Sequence, residues 1–256
     1  MLQFCSLYSG STGNCLLVKS DKTNILIDAG VSLKKIASAL NSIDLDISDI
    51  DAVLVTHEHS DHIQSVGSIS KKFNIPIYAN AETWDAMPAQ RDKVSILNQQ
   101  LYTPFKNFSI GDFDIYPFKI PHDAANPCGF NVYNKSSKIT VATDLGHIDN
   151  SVFDNFKNSS FIMLESNYDP EVLKCSPYPY SLKTRISGPN GHLSNSTAGK
   201  TVSALLKTGL KEVMLGHLSK ENNFPELAYQ TVLEELHSND LSEKDLTINV
   251  ASRLRS

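Results

Sequence analysis

The chain has little cysteine, a single tryptophan, no excess of positive charge and no long apolar run. Each shortage removes a class of protein. Four cysteines stand in 256 residues (Cys5, Cys15, Cys128 and Cys175), and no two of them form a C-x-x-C pair. That spacing argues against a cysteine-bound zinc site and against a disulfide framework, so free thiols in a reducing compartment are expected. With 23 Lys and Arg against 28 Asp and Glu, the formal net charge is −5. There is no basic tail of the kind that coats nucleic acid, and any basic groove has to be local. An acidic chain can still hold phosphates when metal ions supply the positive charge. No window of about 18 residues is uninterruptedly apolar, so no transmembrane helix is expected and no membrane is expected as a partner. The opening MLQFCSLYSGSTGNC has no basic segment followed by an apolar one, so it does not read as a secretory signal. Low-complexity tracts, charge blocks, repeats and Pro/Gly/Ser-rich linkers are all missing. The expectation is one domain over residues 1–256, in the cytoplasm, with no pattern that sets an oligomeric state.

What remains is ordinary for a globular protein: 41% hydrophobic and 20% charged residues. LLVKS (16–20) and NILIDAG (24–30) read as a hairpin pair around a polar turn. Residues 32–40 have helical spacing with Ser32 as N-cap. DAVLVT (51–56), IPIYAN (75–80), FDIYPFKI (113–120), KITVATD (138–144), FIMLES (161–166), EVMLGH (212–217) and LTINVAS (246–252) read as strands. Helical spacing recurs over 195–207 and 225–236. Strands and helices mixed in both halves predict a layered α/β protein. Residues able to bind metal stand repeatedly where apolar strands stop: Asp28, His57, Asp144, Glu165 with Asn167, and His217. Parallel strands ending at one sheet edge would gather these groups, as ligand sites beyond strand ends commonly do.

The strongest local signal is His57-Glu58-His59-Ser60-Asp61-His62. Imidazole nitrogen and carboxylate oxygen suit zinc, manganese or iron. At ordinary His and Asp frequencies the pattern H-x-H-x-D-H arises by chance in roughly one chain in a few thousand. A turn between strand and helix can aim His57 and His59 at one ion, while Asp61 and His62 open the helix and face a second. Paired ions in hydrolases typically stand about 3.5–4 Å apart.

A strand followed by H-x-H-x-D-H resembles the metallo-β-lactamase superfamily, and the likeness runs over nearly the whole chain. The resemblance implies a four-layer αββα sandwich with the metals at one edge. It implies Asp28 as a brace for the metal loop, and further ligands in His122 of PHDAANPCGF, Asp144 of VATDLG and His217 of MLGHLS. The implied sets are His57, His59, His122 and Asp144 for one ion, and Asp61, His62, Asp144 and His217 for the other. A bridging carboxylate in place of a cysteine resembles the two-metal phosphoesterase branch. SGSTGNC, THEHSDH, PHDAANPCGF, ATDLGH, FIMLESNYD and GHLSKENN together are similar to the YycJ/WalJ-like group. Two departures are Thr12 and Pro121, where serine is common in that group. The group implies a phosphodiesterase that degrades DNA from 5′ to 3′ with a metal-bridging hydroxide, Asp61 orienting the nucleophile.

Around that set, His192 of NGHLSN is a candidate acid toward a phosphate or leaving oxygen. Ser194 and Asn195 are candidates to bind phosphate at a helix start, or simply to cap it. Glu165 and Asn167 are expected to orient ligands by hydrogen bonding. His147 reads as a surface or supporting residue. Gly10, Gly13 and Asn14 form a turn that serves either a phosphate or a neighbouring strand. The Pro- and Tyr-rich stretch 168–190, with Lys174, Lys183 and Arg185, reads as a covering loop or as a surface that stacks bases. The competing function is hydrolysis of a small phosphodiester or a thioester.

Overall fold

The computed structural model describes residues 2–242 and 244–252. The chain divides into two compact units. Residues 2–119, 124–136 and 252 make the first, and residues 120–123 and 137–251 the second.

The first unit opens with β1 (Gln3–Tyr8), β2 (Cys15–Lys19) and β3 (Asn24–Ile27), paired antiparallel. The β2–β3 turn closes as its polar residues require: Ser20 Oγ accepts the Thr23 N–H at 3.0 Å, and the Ser20 N–H donates to the Thr23 carbonyl at 2.8 Å. Then come α1 (Leu33–Asn41), β4 (Ala52–Leu54), α2 (Ser60–Ile63), α3 (Val66–Phe73), β5 (Ile77–Ala79), α4 (Ala81–Ala86), α5 (Pro88–Arg91) and β6 (Gln99–Leu101). These strands form one sheet in the order β1 to β6, and β3 to β6 run parallel. The helices cover it through apolar stripes; α1 buries Ile36, Ala39 and Leu40 at i, i+3 and i+4. Leu17, Leu26, Val53, Ile69 and Ile77 form the core with Trp84, whose indole N–H donates to the Gln100 carbonyl. An antiparallel ribbon of β7 (Phe108–Ile110), β8 (Phe113–Lys119) and β9 (Cys128–Asn134) completes the unit.

The second unit contains β10 (Ser137–Ala142), α6 (Asn150–Phe156), β11 (Phe161–Glu165), α7 (Pro170–Cys175), α8 (Tyr180–Ile186), α9 (Asn195–Leu206), β12 (Glu212–Gly216), α10 (Pro225–His237) and β13 (Thr247–Val250). The four strands pair in sequence order, all parallel. Parallel strands joined by helical crossovers are covered on both faces, hence the near-continuous apolar runs; every residue of β11 is buried. Asp149, Asp169 and Ser194 cap α6, α7 and α9 by accepting from backbone N–H groups of the first turn.

The chain is thus mixed α/β, with sheets flanked by helices. The stretch 168–190 holds α7 and α8 in place of an open loop. Among the described residues no helix is long and apolar enough to cross a membrane. The four cysteines are free thiols. Burial pushes the Cys15 thiol far above its usual range, which leaves it unreactive.

Candidate metal centre

In the first unit the site is built where β3 and β4 end side by side. Their register pairs Ile27 with Leu54, so Asp28 and Thr56 follow at the same sheet edge. Asp28 is buried and takes a left-handed backbone, φ 63°. Its carboxylate accepts the Thr56 N–H and hydroxyl, both at 2.8 Å, and lies 2.7 Å from His62 Nδ1. One side chain thereby ties both ends of the H-x-H-x-D-H loop. Thr56 Oγ1 also meets His57 Nδ1 at 2.9 Å, which turns Nε2 of that ring away from the strand end. The rings of His59 and His62 pack on that of His57, with centroids 4.6 and 4.1 Å away. Asp61 Oδ2 stands 3.6 Å from His62 Nε2.

The loop is also held by backbone. The Ala29 N–H donates to the His62 carbonyl and the Asn14 N–H to the Asp61 carbonyl, each at 2.8 Å. Gly30 is required here, since a Cβ at that position would sit 1.5 Å from the Asp61 carbonyl oxygen. Asn14 accepts the Gly10 N–H on Oδ1 and brings Nδ2 to 3.0 Å from His62 Nε2. The Gly-rich turn therefore packs on the metal loop. Glu58 points elsewhere: Oε1 accepts the Ala125 N–H at 2.8 Å.

In the second unit the same logic runs through three neighbouring parallel strands. The register pairs Ala142 with Leu164 and Glu165 with Gly216, so Asp144, Glu165 and His217 come to one sheet edge. Asp144 and His217 share the left-handed backbone of Asp28, at φ 57° and 54°. Glu165 is fully buried and organises the cluster. Oε1 lies 2.7 Å from His217 Nδ1 and 2.8 Å from His192 Nδ1, and Oε2 accepts the N–H groups of Leu145 at 2.8 Å and Leu193 at 3.1 Å. Both histidines are thereby committed to carry a proton on Nδ1 and to direct Nε2 away from the brace. Asp144 Oδ1 stands 3.4 Å from His217 Nδ1 and 3.8 Å from His122 Nε2. Ligand-type atoms of Asp144, Glu165, His192 and His217 all lie within 4.8 Å of one another.

Electrostatics follow the same contacts. Burial would raise the Glu165 carboxyl, but the two histidines outweigh it and hold it below its usual value. Burial would lower His192, but the Glu165 charge and hydrogen bond hold it above. Burial lowers His122, whose Nδ1 meets the Gly191 carbonyl at 3.1 Å. Gly191 has no room for a side chain, because a Cβ would sit 2.2 Å from the Arg185 carbonyl oxygen.

The remaining candidates hold other positions. Asn167 Nδ2 donates to the His217 carbonyl at 2.8 Å and so grips the backbone of that histidine. Ser194 caps α9, accepting the Thr197 N–H. Asn195 is fully buried, and its amide is taken up by Ser166 and Asn223. His147 meets the Pro189 carbonyl at the surface. Sequence reasoning missed Thr56 and the contact of Asn14 with His62. The one available signal for Thr56 was a hydroxyl residue between an apolar strand and the first histidine.

Imidazoles held by their Nδ1 atoms beside carboxylates are the donor set a divalent cation requires, so the residues present fit a metal ion. The metallo-β-lactamase class answers to this fold and these clusters, and the comparisons agree. The family described as Beta-lactamase superfamily domain matches residues 23–218, and the chain belongs to it. Within that class it is a YycJ/WalJ-like protein. It is 37% identical over 241 residues to Exodeoxyribonuclease WalJ of Streptococcus pneumoniae (serotype 2 strain D39), covering 93% of this chain and 90% of that one. It is 35% identical over 235 residues to Exodeoxyribonuclease YycJ of Bacillus anthracis, covering 92% and 89%. The metallo-β-lactamase fold protein YhfI of Bacillus subtilis superposes over 99% of this chain and 98% of its own, with a TM-score of 0.72 and 18% identity. The fold expected from the sequence is the one found.

Proposed function

We propose that the chain is a metal-dependent phosphodiesterase that removes nucleotides from the 5′ end of DNA. The observation that carries the reading is Glu165 holding two histidines beside Asp144, in a chain more than a third identical to two exodeoxyribonucleases. His57, His59, His122 and Asp144 would hold one divalent ion, and Asp61, His62, Asp144 and His217 a second. Zinc and manganese both suit these ligands, and iron is compatible. When bound, such ions supply Lewis-acid polarisation of the phosphodiester and a nucleophile active at neutral pH.

The protein's own residues do the positioning. Asp28 and Thr56 set the orientation of the metal loop, and Asn167 fixes the backbone of His217. Asp61 would help hold an ion and orient the nucleophile. His192, favoured as an imidazolium by the Glu165 carboxylate, keeps its Nδ1 proton on that carboxylate and hands its Nε2 proton to the departing 3′ oxygen. Ser194 and Asn195 serve by keeping the start of α9 in place behind His192. The family match covers residues of both units, which supports reading residues 1–256 as a single domain. A cytoplasmic protein acting on DNA is part of the same proposal.

The test is cleavage of 5′-labelled single- and double-stranded DNA by metal-stripped protein resupplied with manganese or zinc, with His59→Ala alongside. Metal-dependent release of mononucleotides, lost in the variant, supports the reading. No DNA cleavage with either metal, while a small phosphodiester is still hydrolysed, would replace it with a small-molecule phosphodiesterase.

A further inference from the structure

We infer that a pocket beside the metal loop receives the nucleobase of the nucleotide being released, an inference that rests on the nuclease reading above. The pocket has a volume of about 540 Å³ and is built entirely from the first unit. That size suits a small organic ligand such as a nucleoside. Asp61 belongs both to the metal loop and to the pocket wall, so the pocket begins where the scissile nucleotide has to lie.

Its chemistry selects among the parts of a nucleotide. Glu58 and Asp61 line it, and among the described residues no lysine or arginine does. A phosphate lodged there would face carboxylates with no protein cation, so the occupant is the neutral part of the substrate. Ala86, Pro88 and Ala89 make an exposed apolar wall around the start of α5, with the buried Met87 and Ile63 also lining the pocket. Apolar faces with a few polar groups fit a flat heteroaromatic ring. The wall is preformed. Gln90 donates from Nε2 to the Gln64 carbonyl and accepts the Gly67 N–H on Oε1, both at 3.2 Å, and so ties α5 to α3.

The polar groups are permissive in character. The Gln64 amide and the Ser11 hydroxyl can each donate and accept, so either can meet any base edge. A pocket of this kind gains affinity from every base and selects none, as an enzyme that works through arbitrary sequence needs.

The experiment uses the metal-loaded protein and oligonucleotides whose 5′-terminal nucleotide carries one of the four bases or is abasic. The four bases are expected to agree within about threefold in kcat/KM, with the abasic end slower by about tenfold. Ala89→Trp, at an exposed position, fills the pocket; it should lower kcat/KM on base-bearing ends by about tenfold and so bring them to the rate of the abasic end. Independently of turnover, titrating deoxycytidine into metal-stripped protein should shift the Met87 methyl and Gln64 side-chain amide resonances, and Ala89→Trp should abolish the shifts. Equal rates on abasic and base-bearing ends, with no nucleoside-induced shift at Met87, would overturn the inference while leaving the nuclease intact. If no oligonucleotide is cleaved at all, the nuclease reading fails and this inference goes with it.

Discussion

At the scale of single residues, the site depends on buried carboxylates whose oxygens are already committed. Asp28 accepts from Thr56 and meets His62 Nδ1, so Asp28→Asn would set an amide N–H against one of those donors. The expected loss is about 1–3 kcal/mol of stability and about 10–100-fold in metal affinity. Urea unfolding and metal titration of the variant measure the two. Lys138 offers a titration remote from the metal residues. Its Nζ donates to the carbonyls of Asn155 and Lys157 at the end of α6, at 2.6 and 2.8 Å. Burial pushes its pKa down from 10.5 to about 8. Between those values the unfolded chain binds the extra proton, so the Lys138 contribution to stability grows as pH rises through that window. Relative to Lys138→Met, the wild type should gain up to about 3 kcal/mol between pH 7.5 and 10.5, from the shift at 1.36 kcal/mol per unit. Unfolding at a series of pH values reads the difference, and parallel curves for the two proteins would contradict it.

At the scale of elements, the parallel strands do the gathering. β3 with β4, and β10 with β11 and β12, end in register, so residues 21 to 73 positions apart in sequence share a sheet edge. The left-handed turns at Asp28, Asp144 and His217 then bend each chain off its strand. Such conformations cost of order 1 kcal/mol or more for non-glycine residues and persist only when the surroundings demand them. Close approach of the 28–30 turn to α2 is equally demanding. Gly30→Ala is expected to push the Asp61 carbonyl away, costing about 3 kcal/mol or more and displacing Asp61 from its place. Thermal unfolding should fall, and bound metal per chain, measured by elemental analysis, should drop with it.

At the scale of the whole molecule, ions that bind the folded chain and not the unfolded one link metal to folding. Ions held at about 100 times their Kd add about 2.7 kcal/mol. At about 2–4 °C per kcal/mol for a chain of this size, chelation should lower Tm by about 5–10 °C. Manganese or zinc should restore it in the wild type, and His217→Ala should blunt the recovery. Calorimetry with and without chelator decides this, and an unchanged Tm would argue that the ions contribute little to the folded state.

Much of this arrangement could be read from residue order. The H-x-H-x-D-H loop, the strands before it and the polar residue at the end of each later strand are local patterns, and local patterns survive in one dimension. From them came the α/β class, the gathering of Asp144, Glu165 and His217, and the helices at 33–41, 195–206 and 225–237. Strands β1, β6 and β7 were not legible, and neither was β9. β6 and β7 are three residues each, too short to show alternation. β9 carries Gly129, Asn131 and Asn134, poor strand formers that pairing with β8 overrides. Tertiary structure alone decided which atom of each residue does what. Glu165 serves two imidazoles and two backbone N–H groups, Thr56 serves both Asp28 and His57, and Asn195 turns inward to Asn223. Hydrogen-bond direction depends on φ, rotamer and neighbours distant in the chain, and none of these is set by a residue's identity or by its spacing from the next.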